Sequence, residues 1–204
     1  MEIKLTDWLQ AVHHEVEMRR WRDQSGGKIK HFTVTQEFDI TPAIIGWYMM
    51  NRDSESYRMW HPAHIEFQWE KKIAGVGATW VCWEKINGQM AAYRMRSVPV
   101  ELSPIQPKNK TCSSLNIIMD TEESPLIYIL NETESIENGT RITLTFIFPE
   151  ATPDEYVEAH RQHFSEEFPN MIYKAVPFLI QRTFGYIPDT ETIIKSKLIV
   201  PANN

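Results

Sequence analysis

Residues 140–170 read TRITLTFIFPEATPDEYVEAHRQHFSEEFPN, and the spacing of apolar residues changes from strand to helix within them. Thr140–Phe148 has the composition and spacing of a β-strand. Thr152-Pro153-Asp154 then supplies a helix cap followed by a proline suited to the first helical turn. Helical spacing continues to about residue 182, and Pro169 and Pro177 should kink or divide this helix.

Strand-like segments fill most of the chain before this point. They are His31–Ile40, His64–Glu70, Val76–Ile86, Gln89–Val100, Ser113–Asp120 and Leu126–Asn131. Asn87-Gly88 and Asn138-Gly139 are typical of hairpin turns between such segments. The pattern predicts an antiparallel meander that runs into a long C-terminal helix.

Helical signals flank the first strand. Thr41 and Pro42 predict a short helix over Ala43–Met50, and a second is expected over Ser54–Trp60. Near the start of the chain, apolar residues at helical spacing predict an amphipathic helix that ends before Gly26-Gly27 and packs through its apolar face. That face consists of Leu5, Trp8, Leu9, Val12 and Val16.

This order of elements predicts an α+β fold of the helix-grip (START/Bet v 1-like) type, in which a curved antiparallel sheet wraps around a long C-terminal helix. Residues 1–204 are expected to form one domain, with residues 1–30 as an N-terminal helical extension. A cavity between the sheet and the helix is the expected binding place for a small molecule.

Composition narrows the choice of partners. The 204 residues carry 21 Lys and Arg against 27 Asp and Glu, a net charge of -6, which argues against nucleic acid or an anionic membrane as a partner. Two cysteines, no signal peptide pattern and no 18-residue apolar run indicate a cytoplasmic protein. Seven tryptophans and nine methionines suit an apolar pocket or a homodimer interface.

Three short patterns hold residues that could bind a metal. His163 and Glu167 stand four residues apart on the predicted helix, so both could bind one metal ion. The alternative is that they lie on a solvent-exposed face of the helix and bind none. His61 and His64 flank a proline turn, and the alternative for them is hydrogen bonding to backbone. Glu84 shares a strand face with apolar residues, so its charge needs a cation or a proton. The set suits zinc, and equally manganese or ferrous iron.

The chain resembles the 2,4-diacetylphloroglucinol hydrolases, which include phloretin hydrolase-like relatives. The matching stretches are Trp47-Tyr48, Tyr57-X-X-Trp-His-Pro-X-His64, Val76-Gly-X-Thr, Glu84-X-Ile-X-Gly88, and His163-X-X-Glu-Glu167 with Pro177 beyond it. They follow the family's order over about residues 32–182. The resemblance implies a zinc-dependent hydrolase that cleaves the carbon–carbon bond between an acyl group and a phenolic ring.

The resemblance also implies roles for individual residues. The zinc ligands would be His64, Glu84, His163 and Glu167, although His61 could replace His64. An aromatic substrate needs groups that hold its phenolic oxygens and supply a proton. The candidates are Tyr57 and Tyr128 for binding and His61 and His160 for acid–base work, unless the tyrosines are ordinary core residues. The alternative function is a non-catalytic helix-grip protein that binds an aromatic or lipid ligand.

Overall fold

The computed structural model describes residues 3–86, 88–108 and 112–185, so Asn87 of the first predicted hairpin lies outside the described residues. The helices are α1 (Leu5–Ser25), α2 (Pro42–Asn51), α3 (Ser54–Arg58), α4 (Asp154–Asn170) and α5 (Val176–Phe184). The strands are β1 (Ile29–Phe38), β2 (His64–Lys71), β3 (Thr79–Ile86), β4 (Gln89–Val98), β5 (Ser113–Met119), β6 (Pro125–Ile136) and β7 (Gly139–Pro149).

All seven strands form one antiparallel sheet in the order β1-β7-β6-β5-β4-β3-β2. Consecutive strands from β2 to β7 are neighbours, as short hairpin connections require, and β1 joins at the far edge beside β7. The helix-grip prediction is therefore confirmed. The sheet has one face toward α2, α4 and α5, and most of the buried apolar side chains pack between these layers.

The β6–β7 hairpin depends on Gly139. This residue has φ of 145°, and a Cβ atom there would lie 2.9 Å from Asp39 Cα and clash with the carbonyl oxygen of Phe38. Only glycine lets the turn approach the end of β1 this closely.

The C-terminal helix is divided, as its prolines predict. Pro169 lies inside α4, and the chain passes through a π-helical turn, Met171–Ala175, before α5 begins. Pro177 stands in the first turn of α5, directly after this π-helical turn. The wide turn brings Met171, Ala175 and Val176 into the core.

The prediction of the packing face of α1 is wrong. The expected apolar residues are exposed, with Leu5 at 72% and Val12 at 42% of full exposure. The buried face instead comprises Ala11, His14, Met18, Trp21 and Ser25. The helix therefore has two stripes at helical spacing, and contacts with β4 and α4 select the second. Trp21, for example, packs on Tyr156 with ring centroids 5.0 Å apart.

Across the described residues, no helix is long and apolar enough to span a membrane.

Candidate functional site

A cavity of about 520 Å³ lies between the concave face of the sheet and the helices. Alternating residues of β3 to β7 reach it, because successive side chains point to opposite faces. Its wall is mainly apolar and aromatic. The wall includes Trp60, Trp69, Trp80, Cys82, Tyr93, Met95, Ile118, Ile129, Leu144, Phe146, Phe164, Phe168 and Met171. Polar side chains such as Asn116 and Asn131 also line it, but the apolar part of the wall predominates, which suits a ligand with an apolar body.

Four polar side chains converge beside this cavity, and Glu84 and Glu167 line it. We call the four the histidine–glutamate cluster: His64, Glu84, His163 and Glu167. His64 begins β2 and pairs with Glu84 on β3, while the other two stand one turn apart on α4. The Nε2 atoms of the two histidines are 3.0 Å apart. A nitrogen or oxygen from each of His64, Glu84 and His163 lies within 4.8 Å of the others.

Glu167 completes the cluster from the helix side. Its Oε2 lies 3.6 Å from His163 Nε2, and its Oε1 lies 3.9 Å from His64 Nε2. All four residues are at least nine-tenths buried. Among the described residues, Oε2 of Glu167 has no hydrogen-bond partner. A buried carboxylate oxygen without a donor is energetically costly. A cation or a proton at this position would therefore stabilise the cluster.

Burial sets the charge of the cluster. It lowers the pKa of His64 to about 3, although the backbone carbonyl of Tyr57 opposes the shift, and with nearby His64 it lowers the pKa of His163 to about 2. It also raises the pKa of Glu84 to about 7 and holds that of Glu167 well above its ordinary value. Both imidazoles are therefore neutral at pH 7, the form in which histidine binds metals.

The tautomer of His64 leaves the lone pair on the ring nitrogen that faces the cluster. Its Nδ1 lies 3.0 Å from the carbonyl oxygen of Tyr57, which can only accept, so Nδ1 carries the hydrogen and Nε2 a lone pair. Such a carbonyl contact fixes the tautomer of many metal-bound histidines. Two imidazole nitrogens and two carboxylates fit zinc, manganese or ferrous iron.

Two of the other predicted residues support the cluster or the cavity wall. Tyr57 donates its hydroxyl to Glu84 Oε1 and stacks on His64 with ring centroids 4.0 Å apart. His160 lines the cavity, with Nδ1 on the carbonyl of Tyr156 at 2.9 Å and Nε2 3.3 Å from the Tyr93 hydroxyl.

His61 and Tyr128 lie elsewhere. His61 Nε2 is 3.3 Å from the exposed Glu166, outside the described cavity wall, although its ring lies 4.1 Å from that of His163. It is His64 that joins the cluster. Ile129 and Asn131 on β6 face the cavity. Because side chains alternate along a strand, Tyr128 faces the opposite side of the sheet. Its predicted role in binding is corrected for that reason.

Sequence reasoning missed Arg52, which follows α2 and lines the cavity while only 5% exposed. The sequence carries no signal for it, because an arginine between two short helices is usually a solvated loop residue.

Comparison with known proteins shows the fold. No family model and no curated protein matches the chain. Ginseng major latex-like protein 151 from Panax ginseng is similar with a TM-score of 0.56 and 12% identity, over 74% of this chain and 100% of that one. Ara h 8.0201 has a TM-score of 0.53 and 12% identity, over 76% and 99%. A protein of unknown function from Staphylococcus aureus has a TM-score of 0.52 and 13% identity, over 76% and 97%.

These findings overturn the assignment to the 2,4-diacetylphloroglucinol hydrolases. No family model supports it, and the similar structures are Bet v 1-like proteins. The prediction of carbon–carbon bond hydrolase activity, which came from that resemblance, is also wrong. The acid–base roles predicted for His61 and His160 depended on that reaction and are withdrawn with it. Short motifs of this kind recur in unrelated chains.

Proposed function

We propose that this chain is a binding protein for a small aromatic or lipid-like molecule, held in the cavity between the sheet and the C-terminal helices. The observation that carries the proposal is the cavity itself, about 520 Å³ with a mainly apolar wall. This volume falls within the range of about 300–1,000 Å³ that is usual for small-molecule sites. Aromatic side chains on several walls favour a ligand with at least one flat ring.

Occupancy of the cavity can be tested by fluorescence titration with N-phenyl-1-naphthylamine, a neutral apolar probe. Ile118→Trp places a large ring at the cavity wall and should weaken binding by about tenfold or more, since the probe loses its space. Tyr128→Trp, on the opposite face of the sheet, is the matched control and should leave binding within twofold. Equal binding by both variants, or no binding by the unmodified chain, would contradict the proposal.

A second proposal concerns a divalent metal in the same cavity. His64, Glu84 and His163 would hold it with Glu167, whose unpartnered Oε2 supports the assignment. The two neutral imidazole nitrogens lie 3.0 Å apart, a separation that allows both to bind the same ion. A bound zinc, manganese or ferrous ion would act as a Lewis acid toward an oxygen atom of the ligand.

Metal content measured by elemental mass spectrometry tests this second proposal. The chain purified without chelator and supplied with zinc should carry about one metal ion, and His163→Ala should carry less than about a tenth of that. His13→Ala, an exposed histidine on α1, is the control and should keep the full content. A metal-free chain after zinc addition would refute the metal site while leaving the apolar cavity as the basis for binding.

A further inference from the structure

Arg52 is a buried cation in an aromatic setting. Its Cζ lies 4.5 Å from the ring centroid of Phe67, 4.9 Å from that of Trp69 and 5.2 Å from that of Trp80. Trp60 adds a fourth ring at 6.0 Å. Rings attract a guanidinium through their faces, but they do not replace the hydrogen bonds that its N–H groups make in water.

Few protein acceptors serve this guanidinium. Nη1 donates to the carbonyl of Met49 and lies 3.9 Å from its sulfur, while Nε has no partner within the described part of the chain. No described carboxylate oxygen comes within 4.0 Å of the guanidinium. The carboxyl group of Glu167 attracts it electrostatically, but only from a greater distance. An arginine that is 95% buried without a counter-ion is costly, so an anion supplied from outside would stabilise it.

The backbone holds Arg52 in place before any ligand binds. Its N–H donates to the carbonyl of Tyr48 at 2.8 Å, and its own carbonyl accepts from the indole of Trp69 at 3.3 Å. The side chain therefore reaches the cavity wall from a fixed position at the end of α2. Preorganised arginines of this kind recognise carboxylates and related oxyanions well, because the donors already match the spacing of the acceptor oxygens.

We propose that Arg52 is an anion-recognition site inside the cavity, and that the ligand is an organic acid with an aromatic or hydrocarbon body and a carboxylate or sulfonate group. This inference rests on the proposed binding function and adds the charge of the ligand to it. The anionic group contacts the guanidinium, and the apolar body occupies the rest of the cavity. The competing explanation is a purely structural arginine, for which ligand charge would make no difference.

Two probes that share their rings separate these explanations. 1-Anilinonaphthalene-8-sulfonate carries a sulfonate that N-phenyl-1-naphthylamine lacks, so the ratio of their dissociation constants reports recognition of the anion. The unmodified chain should bind the sulfonate at least about tenfold more tightly. Arg52→Gln should abolish this preference, and Arg52→Lys should keep part of it.

Arg20→Gln, which removes an exposed positive charge from α1, is the control for net charge and should leave the preference unchanged. Equal affinity of the unmodified chain for both probes would overturn the inference even if Arg52→Gln does not fold. An equal loss of both probes in a folded Arg52→Gln variant would also overturn it, in favour of a structural role. Failure of the neutral probe to bind the unmodified chain would instead contradict the proposed binding function.

Discussion

Two of the places where the described residues bury carboxylates differ in how the carboxylate oxygens are partnered. Asp120, after β5, is 1% exposed, and its Oδ1 accepts from the N–H groups of Glu122 at 3.0 Å and Ser124 at 2.8 Å. Its Oδ2 accepts from Arg22 Nη1 at 2.8 Å, with Arg19 Nε at 3.4 Å. Every oxygen of this group is partnered from within the chain, and the contacts tie α1 to the β5–β6 turn.

The histidine–glutamate cluster is also deeply buried, but only part of it is partnered in this way, through the hydroxyl that Tyr57 donates to Glu84 Oε1. Glu167 presents an oxygen with no donor among the described residues, and His64 and His163 face each other through neutral nitrogens. The comparison teaches that burial of a charge does not by itself indicate function. A partnered carboxylate stabilises the fold, whereas an unpartnered one in a cavity wall indicates something that binds there.

The largest effect on stability is expected at Asp120. Asp120→Asn removes the buried anion that Arg22 and Arg19 share and replaces an acceptor oxygen by an amide, so the free energy of unfolding should fall by about 1–3 kcal/mol. Chemical denaturation at pH 7 measures it. Glu123→Gln, in an exposed ion pair with Arg96, is the control and should change stability much less than Asp120→Asn, because solvent screens an exposed ion pair. Equal losses in both variants would remove the distinction between the two carboxylate sites.

A smaller effect, without loss of stability, is expected at Glu167. Glu167→Gln replaces a buried carboxyl group whose Oε2 has no donor among the described residues and whose pKa burial raises, so the metal-free protein should keep its stability or gain about 1 kcal/mol. Thermal unfolding in the presence of a chelator is the measurement. A loss as large as that of Asp120→Asn would mean that the cluster is a structural network instead.

The acid dependence of unfolding should show the smallest difference. Burial alone would raise the pKa of Asp120, but the Ser124 N–H, Arg22 and Arg19 hold it below its ordinary value. Its stabilising contribution is therefore present above the unfolded pKa, roughly 3.9, and is lost as the pH falls through the lower folded pKa. The free energy of unfolding, measured with urea at several pH values from about 5 to about 2, should fall less steeply with decreasing pH for Asp120→Asn than for the unmodified chain. Parallel curves would refute the assignment.

Much of the fold could be predicted because local signals agreed with one another. Strand spacing, the Asn138-Gly139 turn and the two helix prolines each describe a few neighbouring residues, and the structure confirms the elements they predicted. The packing face of α1 could not be predicted, because its sequence holds two stripes at helical spacing. Tyr128 was misplaced for a related reason, since strand parity shows which residues share a face but not which face meets the cavity.

The sequence by itself determined the order of elements, the helix-grip fold and the residue types that could meet in its cavity. Only the tertiary structure decided that His64 and not His61 joins Glu84 and His163, that Glu167 keeps an unpartnered oxygen, and that Arg52 stands inside an aromatic wall. The reason is physical: secondary structure follows from interactions among near neighbours. A site instead depends on distances and burial between residues such as His64 and His163, which lie far apart in the chain and meet only when sheet and helix pack.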